Sequence, residues 1–331
     1  MKAALLHGLQ DVRLVDIPIP KVYPHNVLVR VHACAICPTD LRKFNTIYSG
    51  KLKLPENLGH EFVGTVVEIG SDVQNFELGM RVMGDGFEGY AEYALLDLDL
   101  KPPVHVPQPV TIPESVSDAA ATFAEPLGCC VHAVMDQAEL QAGQTVLIIG
   151  GGTMGQLLLM VAKSAGGRVL LSEPYADRRA MALSLGADAV IDPQAEDLPQ
   201  AVCRLNDGEL VDVTILTIGN PASVQDAMET VRPCGRVILF GRFPHGVKIE
   251  VDPILVYRHE IRLLGSYWVG GASTCANVSV FRHALELIET GRVAVEQLIS
   301  DTYPLSQIHE AFAAAARMDT YKIIVTPQPH N

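Results

Sequence analysis

A chain of 331 residues is longer than one ordinary hydrophobic core organises, and it points to two domains that each bury an apolar interior. With 38 acidic against 25 basic residues the formal charge is -13, and no Lys/Arg block offsets it. Such a surface repels phosphate backbones and anionic lipid, which excludes nucleic acid and membrane surfaces as partners. The seven cysteines are odd in number, and the opening Met1-Lys2-Ala3-Ala4-Leu5-Leu6 breaks off at His7-Gly8 without continuing as a secretory leader. A reducing, cytoplasmic setting is therefore expected. The most apolar stretch, residues 146–162, contains three consecutive glycines and reads as strand, turn and helix rather than a membrane span.

From Lys2 to about Leu96 the chain runs in short β-rich pieces at 12–17, 27–33, 62–69 and 89–96, each closed by Gly, Pro, Asn or Asp. Strands without alternating helices predict an all-β, barrel-like unit whose loops carry Cys37 and His60. A proline-rich joint follows, from Lys101-Pro102-Pro103 to Pro113, and Ser117 caps a helical start at Asp118-Ala119-Ala120. From Thr145 the rhythm changes. Apolar runs at 146–149, 169–171, 189–191, 211–216, 237–240 and 261–264 alternate with helical patterns, which predicts a parallel sheet covered on both faces and fits a Rossmann domain. Helices around 278–289 and 306–317 and a closing strand at 321–325 are expected to return to the first domain. The predicted fold class is α/β plus β: a β-barrel domain over 1–122, an inserted doubly wound parallel-sheet domain over 123–262, and a return segment over 263–331.

The chain's phosphate-binding signal is Gly150-Gly151-Gly152-Thr153-Met154-Gly155, between the apolar Val146-Leu147-Ile148-Ile149 and the helical Gln156-Leu157-Leu158-Leu159. A bare glycine triplet serves many turns. Framed by strand and helix, Gly150, Gly152, Thr153, Met154 and Gly155 provide the tight turn, close backbone approach and helix N-terminus that a pyrophosphate requires. The next apolar run ends at Ser172-Glu173, where a carboxylate would accept hydrogen bonds from an adenosine ribose and repel a 2′-phosphate, so NAD is favoured over NADP. Arg178 and Arg179 stand against that preference, because guanidinium groups near the ribose suit a 2′-phosphate.

Ahead of the fingerprint lie Cys37, His60, Glu61 and Glu125. A soft thiolate, an imidazole and a carboxylate are the ligand types of a catalytic zinc. The pieces Ile36-Cys37-Pro38-Thr39-Asp40-Leu41, Gly59-His60-Glu61, Gly79-Met80-Arg81-Val82, Gly89-Tyr90-Ala91-Glu92-Tyr93, Glu125-Pro126-Leu127 and the fingerprint occur in order along nearly the whole chain, followed by Pro304-Leu305 and Ala311-Phe312. In these pieces the sequence resembles the zinc-dependent medium-chain dehydrogenase/reductase (alcohol dehydrogenase) superfamily, in its sorbitol and threonine dehydrogenase-like branch. The resemblance implies a GroES-like catalytic domain, a Rossmann domain and an active site in the cleft between them. It implies that Cys37 and His60 are zinc ligands, with Glu61 and Glu125 as alternative third ligands that exchange during turnover. It also carries over cofactor contacts at Thr217 and Ile218, at Gly241, at Ser266, and at Lys322 on the pyrophosphate.

Two departures from the family pattern matter. Relatives often carry a lobe of clustered cysteines for a structural zinc, but here no cysteine lies between Cys37 and Cys129, so one catalytic zinc and no structural zinc is expected. Arg42 stands where relatives often have a histidine that passes the alcohol proton onward from the hydroxyl residue at Thr39. An arginine does not titrate near neutral pH, so Thr39 keeps the first link of the relay and Arg42 is assigned to an anionic group of cofactor or substrate, with a surface arginine as the equal alternative. Asp40 reads as a loop carboxylate capping backbone donors. Cys34, Cys129, Cys130 and His132 read as core packing, and Phe44, Tyr48, Phe87 and Trp268 as pocket walls or packing.

The implied reaction is reversible hydride transfer between NAD(H) and a secondary alcohol, polyol or sugar alcohol and its ketone. An NADP(H)-dependent carbonyl or enal reductase and a non-catalytic NAD-binding protein are the alternatives. The latter makes no use of Cys37, Thr39, His60 or Glu125. A small-molecule alcohol or ketone is the expected partner, and a homodimer or homotetramer the expected assembly, with the edge strand at 261–266 as interface.

Overall fold

The computed structural model describes residues 1–46, 54–84, 86, 88–98, 110–267, 279–317 and 319–327. Most of the proline-rich joint, together with Tyr48, Phe87 and Trp268, lies outside the described residues. The chain divides into two compact units, one formed by Met1–Pro126, Gly270–Gly291 and Val295–Asn331, the other by Leu127–Val269 and Arg292–Ala294. The second unit thus runs beyond the expected boundary at 262, because the last parallel strand begins there and belongs to its sheet.

In chain order, β1 (Lys2–Gly8), β2 (Asp11–Asp16), β3 (Asn26–Ala35), β4 (Glu56–Asn57), β5 (Glu61–Ile69), β6 (Arg81–Gly84) and β7 (Tyr93–Asp97) come first. The parallel-sheet strands are β8 (Thr145–Ile149), β9 (Arg168–Ser172), β10 (Ala189–Ile191), β11 (Val211–Leu216), β12 (Val231–Leu239) and β13 (Arg262–Gly265). The chain closes with β14 (Ile299–Pro304) and β15 (Lys322–Thr326).

In the first unit β1 pairs antiparallel with β2 and β4, while β3 organises the larger sheet. The sequence Asn26-Val27-Leu28-Val29-Arg30-Val31 is rich in branched residues, which suit an extended strand packed on its neighbours. This first part of β3 pairs with β7, and its last two residues, Cys34 and Ala35, pair with β15. Along the other edge β3 pairs antiparallel with β5, in a register that sets Ala35 opposite Glu61. Because Ala35 also sits opposite Ile324 of β15, the ends of three strands meet, and Cys37, His60, Glu61 and Lys322 arrive at one end of one sheet.

The core beneath this sheet includes Val27, Val29, Val31, Phe62 and Val66, closed by Ala311 and Phe312 from the helix Ile308–Ala315. Phe44, a possible pocket wall, packs on Phe312 with ring centroids 5.0 Å apart, so its role is packing. The strand β14, which runs parallel to β15, was not expected: Ile-Ser-Asp-Thr-Tyr-Pro is largely polar and half exposed, and shows no apolar run.

In the second unit the strand order is β10-β9-β8-β11-β12-β13, with every pairing parallel. This is the doubly wound order, with β8 at its centre and buried at every position. β12 starts at Val231, earlier than the expected 237. Pro233-Cys234-Gly235 interrupts its apolar run, with Cys234 at φ +62° and a shift of register against β11. Among the described residues no helix is long and apolar enough to cross a membrane.

Candidate functional site

The first constellation grows from the end of β3. After Ala35 the chain leaves the strand, Cys37 takes an extended N-cap conformation, and Pro38 at the first helical position starts the helix Pro38–Asn45. Asp40 lies in the first turn of that helix, not in a loop, and is completely buried. Its capping role is larger than expected: its carboxylate accepts from the Cys37 N–H at 3.1 Å, the Gly59 N–H at 3.2 Å and the Tyr90 hydroxyl at 2.9 Å. One carboxylate therefore ties the Cys37 turn to the segment bearing His60. Gly59 makes the second approach possible. Its φ of +85° is strained for any side chain, and a Cβ there would stand 2.9 Å from the Cys34 sulfur.

His60 and Glu61 follow, both buried, with Glu61 opening β5. Ligand atoms of Cys37, His60 and Glu61 lie within 4.8 Å of one another, and these residues make up the one such group among the described residues. Burial pushes the Cys37 thiol up, as does the Glu61 charge, while His60 opposes the shift. Burial alone would lower the His60 pKa, yet the Cys37 and Asp40 charges and hydrogen bonds lift it well above the usual histidine range. The imidazole Nδ1 is 3.7 Å from Asp40. That separation is longer than a hydrogen bond, but it puts a carboxylate on the ring side where metal-ligating histidines commonly have one. By donor type and convergence these residues fit zinc.

Lys322, which the family resemblance assigns to the pyrophosphate, has a second partner: it is buried and its ammonium bonds the Glu61 carboxylate at 2.6 Å. Burial works against its charge, and Glu61 and Cys37 more than compensate, so its pKa is raised. The buried ammonium is paired with Glu61 and so adjoins the group of Cys37, His60 and Glu61. Glu125, in the first turn of the helix Ala124–Val131, is buried outside the group of three but close enough for its charge to support Lys322. Thr39 and Arg42 occupy the same helix as Asp40, three residues apart and each partly buried.

The second constellation lies at the carboxyl ends of β8, β9, β11, β12 and β13, where open parallel sheets bind their ligands. Gly150 turns at φ +102° and donates its N–H to Ser172 at 2.8 Å. A Cβ at Gly155 would lie 1.9 Å from the Gly150 carbonyl oxygen, so only glycine allows the helix Thr153–Ser164 to start against the turn. Gly152 caps that helix in an extended conformation with open space beside it. Thr153 and Met154 form its first turn.

The Thr217 hydroxyl donates to Ile149 at 2.9 Å, bonding the end of β11 to the fingerprint strand, while neighbouring Ile218 is exposed. Gly241 donates to Leu216 at 2.7 Å and Ser266 to Leu239 at 3.0 Å. Glu173 is buried, accepting from the Gly151 N–H at 2.6 Å and the Tyr175 N–H at 3.1 Å. Arg178 lies 3.9 Å from the Glu173 carboxylate and 5.2 Å over the Tyr175 ring. Arg179, by contrast, is committed to the Glu173 and Pro174 carbonyls and to Asp192.

Three contacts are not visible in the sequence alone: Tyr90 as the donor to Asp40, Lys322 as the partner of Glu61, and Gln156, whose amide bonds the fingerprint loop. Only Tyr90 left a usable signal, since a tyrosine in an apolar β segment needs a partner for its hydroxyl.

Known proteins resemble this chain over nearly its whole length. The alcohol dehydrogenase GroES-like domain family matches residues 23–99, and the zinc-binding dehydrogenase family matches residues 153–290. The L-threonine 3-dehydrogenase of Pyrococcus abyssi is 31% identical over 98% of this chain and 97% of its own. The D-arabitol-phosphate dehydrogenase of Enterococcus avium is 27% identical over 97% of this chain and 96% of its own. A Sinorhizobium meliloti protein assigned as a zinc-binding dehydrogenase, solved bound to NADP, superposes with a TM-score of 0.85 at 30% identity, covering 98% of this chain and 99% of that one. By its fold, its motifs and its identity to these relatives over nearly full length, the chain belongs to the zinc-dependent medium-chain alcohol dehydrogenase superfamily.

Proposed function

We propose that this protein is an NAD-preferring, zinc-dependent dehydrogenase that moves a hydride between NAD(H) and a secondary alcohol, polyol or sugar alcohol and its ketone. The observation that carries this reading is the convergence of a thiol, an imidazole and a carboxylate within 4.8 Å, in a chain that also holds a strand-framed glycine fingerprint. Cys37 and His60 hold the metal, with Glu61 or Glu125 as third ligand; Glu125 takes the position when the Glu61 carboxylate stays with Lys322. One zinc per chain is expected, since no cysteine lies between Cys37 and Cys129. Bound zinc supplies a Lewis acid for the alcohol hydroxyl, and bound nicotinamide supplies the hydride acceptor.

Thr39 takes the hydroxyl proton at its own oxygen and passes one onward. Arg42, one helical turn along, acts on an anionic group of cofactor or substrate. Arg42→Gln is then expected to raise a KM several-fold, and an unchanged KM would make it a surface residue. The names of the threonine and arabitol-phosphate relatives support a polar secondary alcohol as the substrate class.

The buried Glu173 carboxylate supports NAD. The NADP-bound relative and the proximity of Arg178 to Glu173 favour the second reading, an NADP(H)-dependent carbonyl reductase. Among the described residues Cys34, Cys37, Cys203 and Cys234 are thiols outside any disulfide, in keeping with a reducing cytoplasmic setting. β13, an edge strand of the parallel sheet, supports a homodimer or a tetramer built from it. The test is a screen of NAD and NADP reduction over polyols, sugars, amino alcohols and simple secondary alcohols. A lower KM for NAD with a polyol-type substrate is expected; turnover confined to NADP and a carbonyl would transfer the case to the second reading, and no turnover at all would sink both.

A further inference from the structure

Gln156 follows the last glycine of the fingerprint, on the helix Thr153–Ser164, among apolar residues. It is fully buried, which for a glutamine requires a compensating hydrogen-bond network. Its Nε2 donates to two carbonyls, Gly151 at 2.9 Å and Arg178 at 3.0 Å. Among the described residues no donor reaches its Oε1, so the amide's orientation follows from the two carbonyls alone. The first belongs to the glycine loop, the second to the helix Ala176–Ser184 behind Glu173.

Gly151 is bonded on its other side as well. Its N–H donates to the Glu173 carboxylate at 2.6 Å, and a Cβ at Gly151 would stand 2.9 Å from the Glu173 Cγ. The result is a closed circuit. Gln156 holds the Gly151 carbonyl, the Gly151 N–H holds Glu173, and Gln156 returns to the helix that follows Glu173. If Gly151 turns, the carboxylate loses its nearest backbone donor.

We propose that Gln156 is a positioning residue that braces Gly151, so that its N–H fixes Glu173 in place to select an adenosine ribose without a 2′-phosphate. The inference rests on the dinucleotide reading under Proposed function. Gln156 itself reaches Glu173 only through the loop. Its removal therefore acts on selectivity as well as affinity, because a carboxylate free to swing away no longer repels a 2′-phosphate at a fixed place.

The experiment compares wild type with Gln156→Met, which keeps length and burial but has no donor, by calorimetric titration with ADP and with adenosine 2′,5′-bisphosphate. Wild type is expected to prefer ADP. In Gln156→Met the ADP Kd should rise about tenfold and the preference over the bisphosphate should shrink. An unchanged Kd and preference would overturn the brace, and so would an equal loss for both nucleotides with the preference intact, the pattern of general destabilisation. Wild type that binds neither nucleotide would defeat the dinucleotide reading itself, and this inference with it. Should Gln156→Met not fold, amide hydrogen exchange at Gly151 in wild type decides. A protected amide supports the clamp, and exchange at the rate of an open loop overturns it.

Discussion

In the first unit Cys37, His60, Glu61, Lys322 and Asp40 are ionisable groups, most of them fully buried, that hold one another in place through charge and hydrogen bonds. In the second unit the fingerprint contains no ionisable side chain; its shape comes from glycines at turns and close approaches, with Glu173 and Gln156 bonded to its backbone. Removal of one partner in the first unit strands a buried charge, a large cost. Addition of one methyl group in the second displaces backbone, a cost of steric origin. Preorganisation of a metal group thus depends on charge balance, and that of a nucleotide cradle on backbone space.

The largest expected effect is at the metal group. Cys37→Ala or His60→Ala should lose the zinc and lower kcat/KM by at least about a thousandfold, the equivalent of roughly 4 kcal/mol of barrier, as followed by metal analysis and steady-state rates. A variant that kept both zinc and rate would break the charge-balance side of the comparison. Lys322→Met comes next. It leaves the Glu61 carboxylate buried without its cation, at a cost of about 3–5 kcal/mol in chemical denaturation of chelator-treated protein. A loss below about 1 kcal/mol would mean that the pair is not what sustains Glu61 there.

In the second unit Gly155→Ala should cost about 1–3 kcal/mol and raise the Kd for ADP, since the new Cβ would meet the Gly150 carbonyl oxygen at 1.9 Å. Unchanged nucleotide affinity would contradict the steric account of the cradle. The smallest effect concerns pH. Asp118, partly buried in the first unit, is raised by burial but lowered further by bonds from His32 and Arg81, so its pKa ends below the ordinary 3.8. A depressed carboxylate stabilises the fold above its unfolded pKa, and that contribution disappears as pH falls through the folded value. Asp118→Asn should therefore flatten the loss of stability below pH 3.8. Acid melting curves of identical slope would remove Asp118 from the account.

The two regions also differed in how much the sequence disclosed. The parallel sheet was plain because β8 and β11 are short apolar runs bounded by glycine and polar residues, and the fingerprint sits where such a strand must turn. β14 escaped because its residues are polar and half exposed, and the start of β12 because Pro233 and Gly235 break its pattern. At the metal group, residue types and order were enough to select Cys37, His60 and the glutamates. The partnership of Glu61 with Lys322 was not visible, since 261 residues separate them and only the shared register of β3 with β5 and β15 brings them together. Gln156 was hidden by its surroundings: one amide in an apolar helix gives no sign of which carbonyls it bonds.

If Cys37, His60 and a glutamate hold a zinc ion on which alcohol oxidation depends, metal analysis and NAD-reduction assay of one preparation, before chelation, after chelation and after zinc is restored, will show one zinc per chain and activity that leaves and returns with it. Full activity in metal-free protein would contradict that dependence.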